Sequence, residues 1–171
     1  MDARLHYLQG KAELVTTLGL LTDFYADKLA AIATHQAHAR LVKQYDVNNT
    51  YQYIINREEV QLSWLAKAIG DAGGTVPESP ANRTGANAGD ARSLFTEDRD
   101  SARMFIERWR PKVDAMEHAR HQSMLRVILG ETREQQRFFE QALDGRTDLL
   151  GRRAHDAGPP QGEVLPARWI E

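Results

Sequence analysis

Residues 51–74 read YQYIINREEVQLSWLAKAIGDAGG, and this stretch decides the fold of the chain. Mostly apolar residues recur in it at steps of three and four, which is the spacing of one face of an α-helix. Together they form a stripe along that face. The stripe consists of Tyr51, Ile55, Glu58, Leu62, Leu65 and Ile69. Gly73 and Gly74 supply a helix stop, and Pro77 follows soon after. We therefore predict a helix from about Tyr51 to Ala72, with one carboxylate on its apolar face.

A similar stripe precedes this segment and predicts a first helix from about Lys11 to Gln44. Its members are Leu14, Leu18, Leu21, Tyr25, Leu29, Ile32, His35, Ala39 and Val42. Residues 46–50 contain aspartate, asparagine and threonine, which are typical of a turn and of helix N-caps. Because the connection is short, we expect the first two helices to lie antiparallel.

The chain after Gly73 predicts a long loop and then two more helices. Residues 73–92 are rich in Pro, Gly, Ser, Asn and Thr, and a loop of this length suits a crossover along a bundle. Thr96 is a candidate cap of helix three, and Pro111 is a candidate first residue of helix four, which ends near Gly145. The prediction is an all-α, antiparallel four-helix bundle in residues 1–145, followed by a C-terminal tail in residues 146–171.

Composition excludes several classes of function. The chain has no cysteine, so disulfides, thiolate zinc sites and iron–sulfur clusters are ruled out. The net charge of −2 offers no strong field for nucleic acid or an anionic membrane. The sequence shows neither a signal-peptide pattern nor an apolar run of about 18 residues. We therefore expect a cytoplasmic protein with no nucleic-acid or membrane partner.

The tail suggests how the chain could meet other proteins. Residues 164–170 are mostly apolar and follow a Gly/Pro-rich lead. With Trp169 as an anchor, this peptide could dock into a protein partner or a second subunit. The simpler interpretation is that it packs on its own bundle. We expect the protein to form a homo-oligomer.

Glu58 is the most informative single residue. It lies in the middle of an apolar stripe, where a carboxylate without a partner is costly. The partner can be a base, a hydrogen-bond network or a metal ion. Pairing with an arginine or a tyrosine, or a place at the edge of the stripe, are alternatives that the sequence leaves open.

Two segments resemble the ferritin-like superfamily, in particular rubrerythrin- and bacterioferritin-like proteins. Residues 55–74 resemble the second helix of that family, in which a Glu-x-x-His pair is followed by Leu, Ile and a Gly-Gly stop. Glu58 stands in the glutamate position and Gln61 in the histidine position. Residues 128–135 resemble the fourth helix, with Gln135 in the histidine position, Thr132 in the glutamate position and Glu131 one residue earlier.

The resemblance implies a metal-binding bundle, but the ligand set is degenerate. A di-iron carboxylate site uses glutamates and histidines, whereas both histidine positions here hold glutamine. The acids nearest to the site on helix one are Asp23 and Asp27, and helix three offers only Asp98 or Asp100. The candidate metal ligands are Glu58, His35, Gln61, Glu131 and Gln135.

Two functional interpretations follow, and no catalytic residue can be assigned in either. In the first, the bundle binds at most one transition-metal ion, iron or another, and its residual activity is that of an oxidoreductase. In the second, it holds no cofactor and is a structural or binding module that acts through oligomerisation or its tail. Glu58 would then belong to a hydrogen-bond network with Gln61, Gln135 and a tyrosine. A ligand pocket between the helices is a third interpretation, with no residue pattern of its own.

Histidines occur as two i, i+3 pairs, His35 with His38 and His118 with His121. His35 and Glu58 are about equally far from the turn near Asp46, so we expect them to face each other. Ferritin-like connectivity would place His118 and His121 at the other end of the bundle, whereas a simple up-and-down bundle would let the two pairs meet. Ordinary surface or core-edge histidines remain the alternative.

Overall fold

The computed structural model describes residues 3–78 and 90–151. Helix α1 spans Ala3–Ala39, α2 spans Tyr45–Asp71, α3 spans Ala91–Asp114 and α4 spans Ala119–Leu143. No strand occurs among these residues. The predicted all-α fold of four helices is therefore confirmed. None of the helices in the described ranges is long and apolar enough to cross a membrane.

Glycines end α2 and α4 in the same way. Gly73 and Gly145 adopt φ values of 80° and 92°, which is the left-handed region that glycine enters without steric cost. The N–H of Gly74 then donates to the carbonyl of Ile69, and the N–H of Gly73 to that of Gly70. This is a Schellman motif, and it satisfies carbonyls that the end of a helix leaves unpaired. Both helices thus end at the glycines that predicted their ends.

The first connection lies earlier in the chain than predicted. Helix α1 ends at Ala39 rather than near Gln44, and α2 begins at Tyr45 rather than Tyr51. Residues 46–50 therefore belong to α2 and not to a turn. Asn48 has a role here, because its side-chain amide donates to the carbonyl of Ala39 at the end of α1.

The predicted start of α3 and the predicted boundary between α3 and α4 were wrong. Asp90 caps α3 in place of Thr96, because its carboxylate accepts from the backbone N–H of Ser93 at 2.8 Å. Pro111 lies inside the last turn of α3 rather than opening α4. Proline removes one backbone donor, but it is exposed here, and Trp109 and Val113 on either side of it are fully buried. Burial of these two side chains carries the helix on to Asp114.

The core consists of two separate hydrophobic clusters. The first contains Ile32, Ala39, Val42, Val47, Tyr51, Ile54, Ile55, Leu94, Phe95, Phe138, Phe139 and Leu149. The second contains Leu21, Phe24, Leu65, Ala68, Ile69, Trp109, Val113, Leu125, Ile128 and Leu129. Both clusters contain residues of all four helices. Burial of their apolar area therefore holds the four helices together at two separate positions along the bundle.

Helix α1 packs mainly against α2, and α3 mainly against α4. Direct backbone contact between α1 and α3 is sparse, which leaves room between them. After α4, Leu149 is buried in the first cluster and Leu150 packs beside it. The predicted course of the crossover through residues 79–89 and the role of the tail in residues 152–171 lie outside the described residues.

Candidate functional site

Buried polar side chains separate the two hydrophobic clusters. On α2, α3 and α4, the polar residues fall in sequence between a residue of one cluster and a residue of the other. On α1, Lys28 does the same, whereas His35 and His38 lie between Ile32 and Ala39 of the first cluster. The members of this polar layer are Lys28, His35 and His38 on α1, Glu58 and Gln61 on α2, Asp98 on α3, and Thr132 and Gln135 on α4. Burying this many polar groups is costly unless they bind one another or a ligand.

Glu58 lies at the centre of the layer and is bound by two residues of α1. The ammonium of Lys28 donates to its Oε1 at 2.8 Å, and Nδ1 of His35 contacts its Oε2 at 2.8 Å. Side-chain exposure is 1% for Lys28 and 0% for Glu58, so water does not screen this ion pair. His35 and Glu58 therefore face each other as the sequence predicted, with an unpredicted lysine beside them.

Electrostatics fixes the charge states of this group. Burial alone would raise the pKa of Glu58, but His35 and Lys28 outweigh it and lower that pKa to about 2. For His35, burial would lower the pKa, but the carboxylates of Glu58 and Asp98 outweigh it, so its pKa is raised. Because an ionised Glu58 can only accept, Nδ1 of His35 carries the proton of their hydrogen bond.

These two shifts predict how stability depends on pH. The raised pKa of His35 stabilises the fold fully below its ordinary value of 6.5, and this contribution is lost as the pH rises through the folded pKa. The lowered pKa of Glu58 stabilises the fold above its ordinary value of 4.5, and this is lost as the pH falls toward 2. In urea titrations from about pH 3 to pH 10, we expect the free energy of unfolding to be largest between these two ordinary values. A maximum at alkaline pH would contradict a protonated His35.

A second group in the layer is centred on Asp98. Nδ1 of His38 lies 2.9 and 2.8 Å from its two oxygens, and the hydroxyl of Tyr51 donates a hydrogen bond to Oδ2. Asp98 thereby joins α3 to both α1 and α2. Nε2 of His35 lies 3.8 Å from Oδ1 of Asp98, which is too long for a hydrogen bond but brings the two groups side by side.

The remaining predicted ligands lie apart from Glu58 in the hydrogen-bond network. Gln61 donates through Nε2 to Oε2 of Glu131, and Glu131 also forms an ion pair with Arg57. Oε1 of Gln61 is buried with no hydrogen-bond partner in the described part of the chain. Within residues 3–78 and 90–151, no hydrogen bond or ion pair joins the Gln61–Glu131 pair to Glu58 or His35. The candidates therefore form two separate pairs, His35 with Glu58 and Gln61 with Glu131, and among the described residues Gln135 hydrogen bonds to neither pair.

A pocket of about 510 Å³ opens between α1 and α3 and reaches the polar layer. Lys28, His35, Glu58, Asp98, Thr132 and Gln135 line its floor. Ala30, Ala31, Ala102 and Phe105 are the apolar part of its wall, and exposed Ser101, Met104 and Arg108 lie at its mouth. The pocket is of the size typical of small-molecule sites, which is about 300 to 1,000 Å³.

Gln135 differs from the other polar residues on the floor. Its side chain is buried, yet among the described residues nothing forms a hydrogen bond with its amide. Thr132, one turn earlier, donates to the carbonyl of Ile128 within its own helix. The amide of Gln135 is therefore a donor and an acceptor that faces the pocket without a protein partner.

The second histidine pair takes no part in this site. His118 caps the start of α4, where its Nδ1 accepts from the backbone N–H of His121. The two rings stack with their centroids 3.9 Å apart. Neither histidine lines the pocket, and no ring contact or hydrogen bond among the described residues connects them with His35 or His38.

The described ranges contain no group of three or more His, Cys, Asp and Glu side chains that could hold a metal ion. The residue that sequence reasoning missed is Lys28. It lies seven residues after Leu21 and seven before His35, so helical spacing already placed it on the buried face of α1. A lysine on that stripe was the available indication of a positive charge beside Glu58.

Comparisons with family models, with curated proteins and with solved structures found no match for this chain.

Proposed function

We propose that this protein binds a small organic ligand in the pocket between α1 and α3, and that Lys28 supplies the positive charge that a metal ion would otherwise bring to Glu58. The observation that carries the proposal is the pocket itself. It combines apolar walls with a buried polar floor on which Gln135 and Lys28 retain unused hydrogen-bonding groups.

Unused polar groups at the base of a pocket favour a ligand over an empty crevice. Lys28 has three N–H groups, and Glu58 is the single described residue that accepts from them. Leaving a buried donor without an acceptor costs about 1 to 3 kcal/mol. A bound molecule that supplies acceptors would recover this free energy, and the apolar walls would add the burial of its carbon skeleton.

Blocking the pocket tests this proposal. Ala31 lines the pocket, so Ala31→Phe fills open space beside the floor. Ala26→Phe is the matched control, because Ala26 is exposed on the same helix and does not line the pocket. We expect ligands found by a thermal-shift screen of small metabolites to raise Tm in the wild type and in Ala26→Phe, but not in Ala31→Phe. Equal stabilisation of all three proteins would contradict binding at this site.

Metal binding is the second candidate, and the contact between His35 and Glu58 favours it. A nitrogen and a carboxylate at the centre of a bundle are suitable ligands for iron or another transition metal, and the ion would supply oxygen or peroxide chemistry. Such an ion would have to displace the ammonium of Lys28, which already binds Oε1 of Glu58. A cation therefore fits poorly beside Lys28.

Elemental analysis separates the two candidates. The protein is purified without an affinity tag or chelator, offered iron, manganese and zinc, and measured by inductively coupled plasma mass spectrometry. Ligand binding without a metal predicts the same low metal content in the wild type and in Glu58→Ala. Near-stoichiometric metal that disappears in Glu58→Ala would replace the first candidate with the second.

We also propose that the bundle is antiparallel and ferritin-like in its connectivity. The second hydrophobic cluster supports this, because it combines residues from the later parts of α2 and α3 with residues from the earlier part of α4. Helices α2 and α3 would then run in the same direction, an arrangement that needs a long connection such as residues 72–90. Since the chain has no cysteine, spin labels can be attached to cysteines introduced at exposed Lys67 and at either Arg110 or Arg92. The proposal predicts that Lys67 is closer to Arg110 than to Arg92.

A further inference from the structure

We infer that the ligand is a small monocarboxylic acid with an apolar body, whose carboxylate is bound by the ammonium of Lys28 and the amide of Gln135. This inference rests on the proposed ligand-binding function and names the chemical class of the ligand. It follows from which hydrogen-bonding groups on the pocket floor are used and which are not.

The carboxylates of the floor already have their donors. Glu58 accepts from Lys28 and His35, one at each oxygen. Asp98 accepts from His38 and Tyr51. Neither acid needs a cationic group from a ligand, so an amine would find no unsatisfied carboxylate at the base of the pocket.

The unused groups are mainly donors. Two N–H groups of Lys28 have no acceptor among the described residues, and its ammonium also lies over the ring of Phe105, 5.5 Å from the centroid. The amide of Gln135 adds two more N–H groups. A carboxylate offers about four acceptor positions, and hydrogen bonds between ionised partners are roughly twice as strong as neutral ones. An acceptor-rich anionic head group therefore complements this floor.

The wall and the mouth indicate the rest of the molecule. Alanines from both helices and Phe105 line the pocket above the floor, which suits a hydrocarbon body. At the mouth, Arg108 forms an ion pair with Asp27 at 2.9 Å, so its charge is already balanced. A second ionic group on the ligand would have no free counter-charge there. The structure thus favours a monocarboxylate over a dicarboxylate or a zwitterion.

A matched ligand series tests the head group. Straight-chain carboxylates of graded length are compared with the primary amides, amines and alcohols of the same length by isothermal titration calorimetry on the full chain. We expect the carboxylates to bind about 10- to 100-fold more tightly than their amides and amines. Acetate, which carries the head without the body, should bind more weakly than the longer acids.

The variant Gln135→Leu tests whether the amide of Gln135 binds the ligand carboxylate. It leaves no protein group without a partner, because no described residue hydrogen bonds to the Gln135 amide. We expect it to weaken carboxylate binding about tenfold while leaving the alcohols unchanged. Gln136→Leu is the control, since Gln136 bonds to Glu140 on the exposed side of the same helix. Its affinity for carboxylates should equal that of the wild type.

The outcomes distinguish this inference from the function on which it rests. If amides or amines bind as tightly as the acids, and Ala31→Phe still abolishes binding, the pocket is a ligand site but the carboxylate assignment is overturned. Equal carboxylate affinities of Gln135→Leu and Gln136→Leu would overturn that assignment as well. If no class of ligand binds the wild type, both the inference and the proposed function are overturned.

Discussion

Replacing Lys28 with methionine is expected to lower the free energy of unfolding at pH 7 by about 3 to 5 kcal/mol. Methionine fills a similar volume, so the loss comes from the charge and not from a cavity. Glu58 is completely buried and, among the described residues, would keep only His35 as a partner. Urea denaturation followed by circular dichroism at 222 nm measures the change.

The exposed lysine on α2 provides the control. Lys67 forms an i, i+4 ion pair with Asp71, but its side chain is 70% exposed. Lys67→Met should therefore change the free energy of unfolding by less than about 1 kcal/mol. If Lys28→Met costs no more than Lys67→Met, the buried ion pair with Glu58 does not stabilise the fold.

The pH dependence of the Lys28→Met penalty gives an independent check. Without Lys28, one of the two charges that lower the pKa of Glu58 is absent, so this pKa rises in the folded variant. Below the new pKa, Glu58 takes up a proton and no longer leaves a buried charge. The difference in the free energy of unfolding between the wild type and Lys28→Met should therefore become smaller as the pH falls. The double variant Lys28→Met/Glu58→Gln should be more stable than Lys28→Met alone for the same reason.

Much of the fold was predictable because it depends on local chemistry. The glycines at positions 73 and 145 fix the ends of α2 and α4 through positive φ values that few other residues tolerate. Pro111 misled the prediction, because a proline is permitted at the start of a helix but is also tolerated near an exposed end. The decision between these two places depends on the burial of Trp109 and Val113, which is a property of the assembled core.

The candidate site was predictable only in part, since its pairing depends on tertiary packing. Equal distances from the first turn were enough to place His35 opposite Glu58. The resemblance to ferritin-like proteins grouped Gln61 and Glu131 with Glu58, whereas in the structure they bind each other. Side-chain direction decides between such alternatives, and helical spacing alone does not specify it.

Asp98 was recognised from the sequence only as one of two candidate acidic ligands on α3. Helical spacing could not rank it above Asp100, which is two residues away. In the structure Asp98 is fully buried between His38 and Tyr51, while Asp100 is half-buried and pairs with arginines near the surface. The donors that distinguish them come from α1 and α2, far away in the sequence. The importance of Asp98 therefore emerges only once the helices have packed.

Asp98→Ala is expected to lower the free energy of unfolding by about 3 to 5 kcal/mol at pH 7. The substitution leaves the Nδ1–H of His38 and the hydroxyl of Tyr51 buried without their acceptor. It also removes a link between α3 and α1, which otherwise make few direct contacts. Asp100→Ala is the control on the same helix, and its partly exposed ion pairs should be worth no more than about 1 kcal/mol.

A double-mutant cycle with Tyr51→Phe isolates the cause of this loss. Tyr51→Phe alone removes a hydrogen bond to a buried carboxylate, so it should destabilise the wild type. In the Asp98→Ala background the hydroxyl has lost that acceptor, so the same substitution should be neutral or stabilising. A coupling energy near zero would mean that the hydrogen bond between Tyr51 and Asp98 contributes nothing, and that Asp98 acts through His38 alone. A clear coupling would establish that the polar layer joins α2 to α3 through this carboxylate, and hence that the floor of the pocket is fixed by three helices at once.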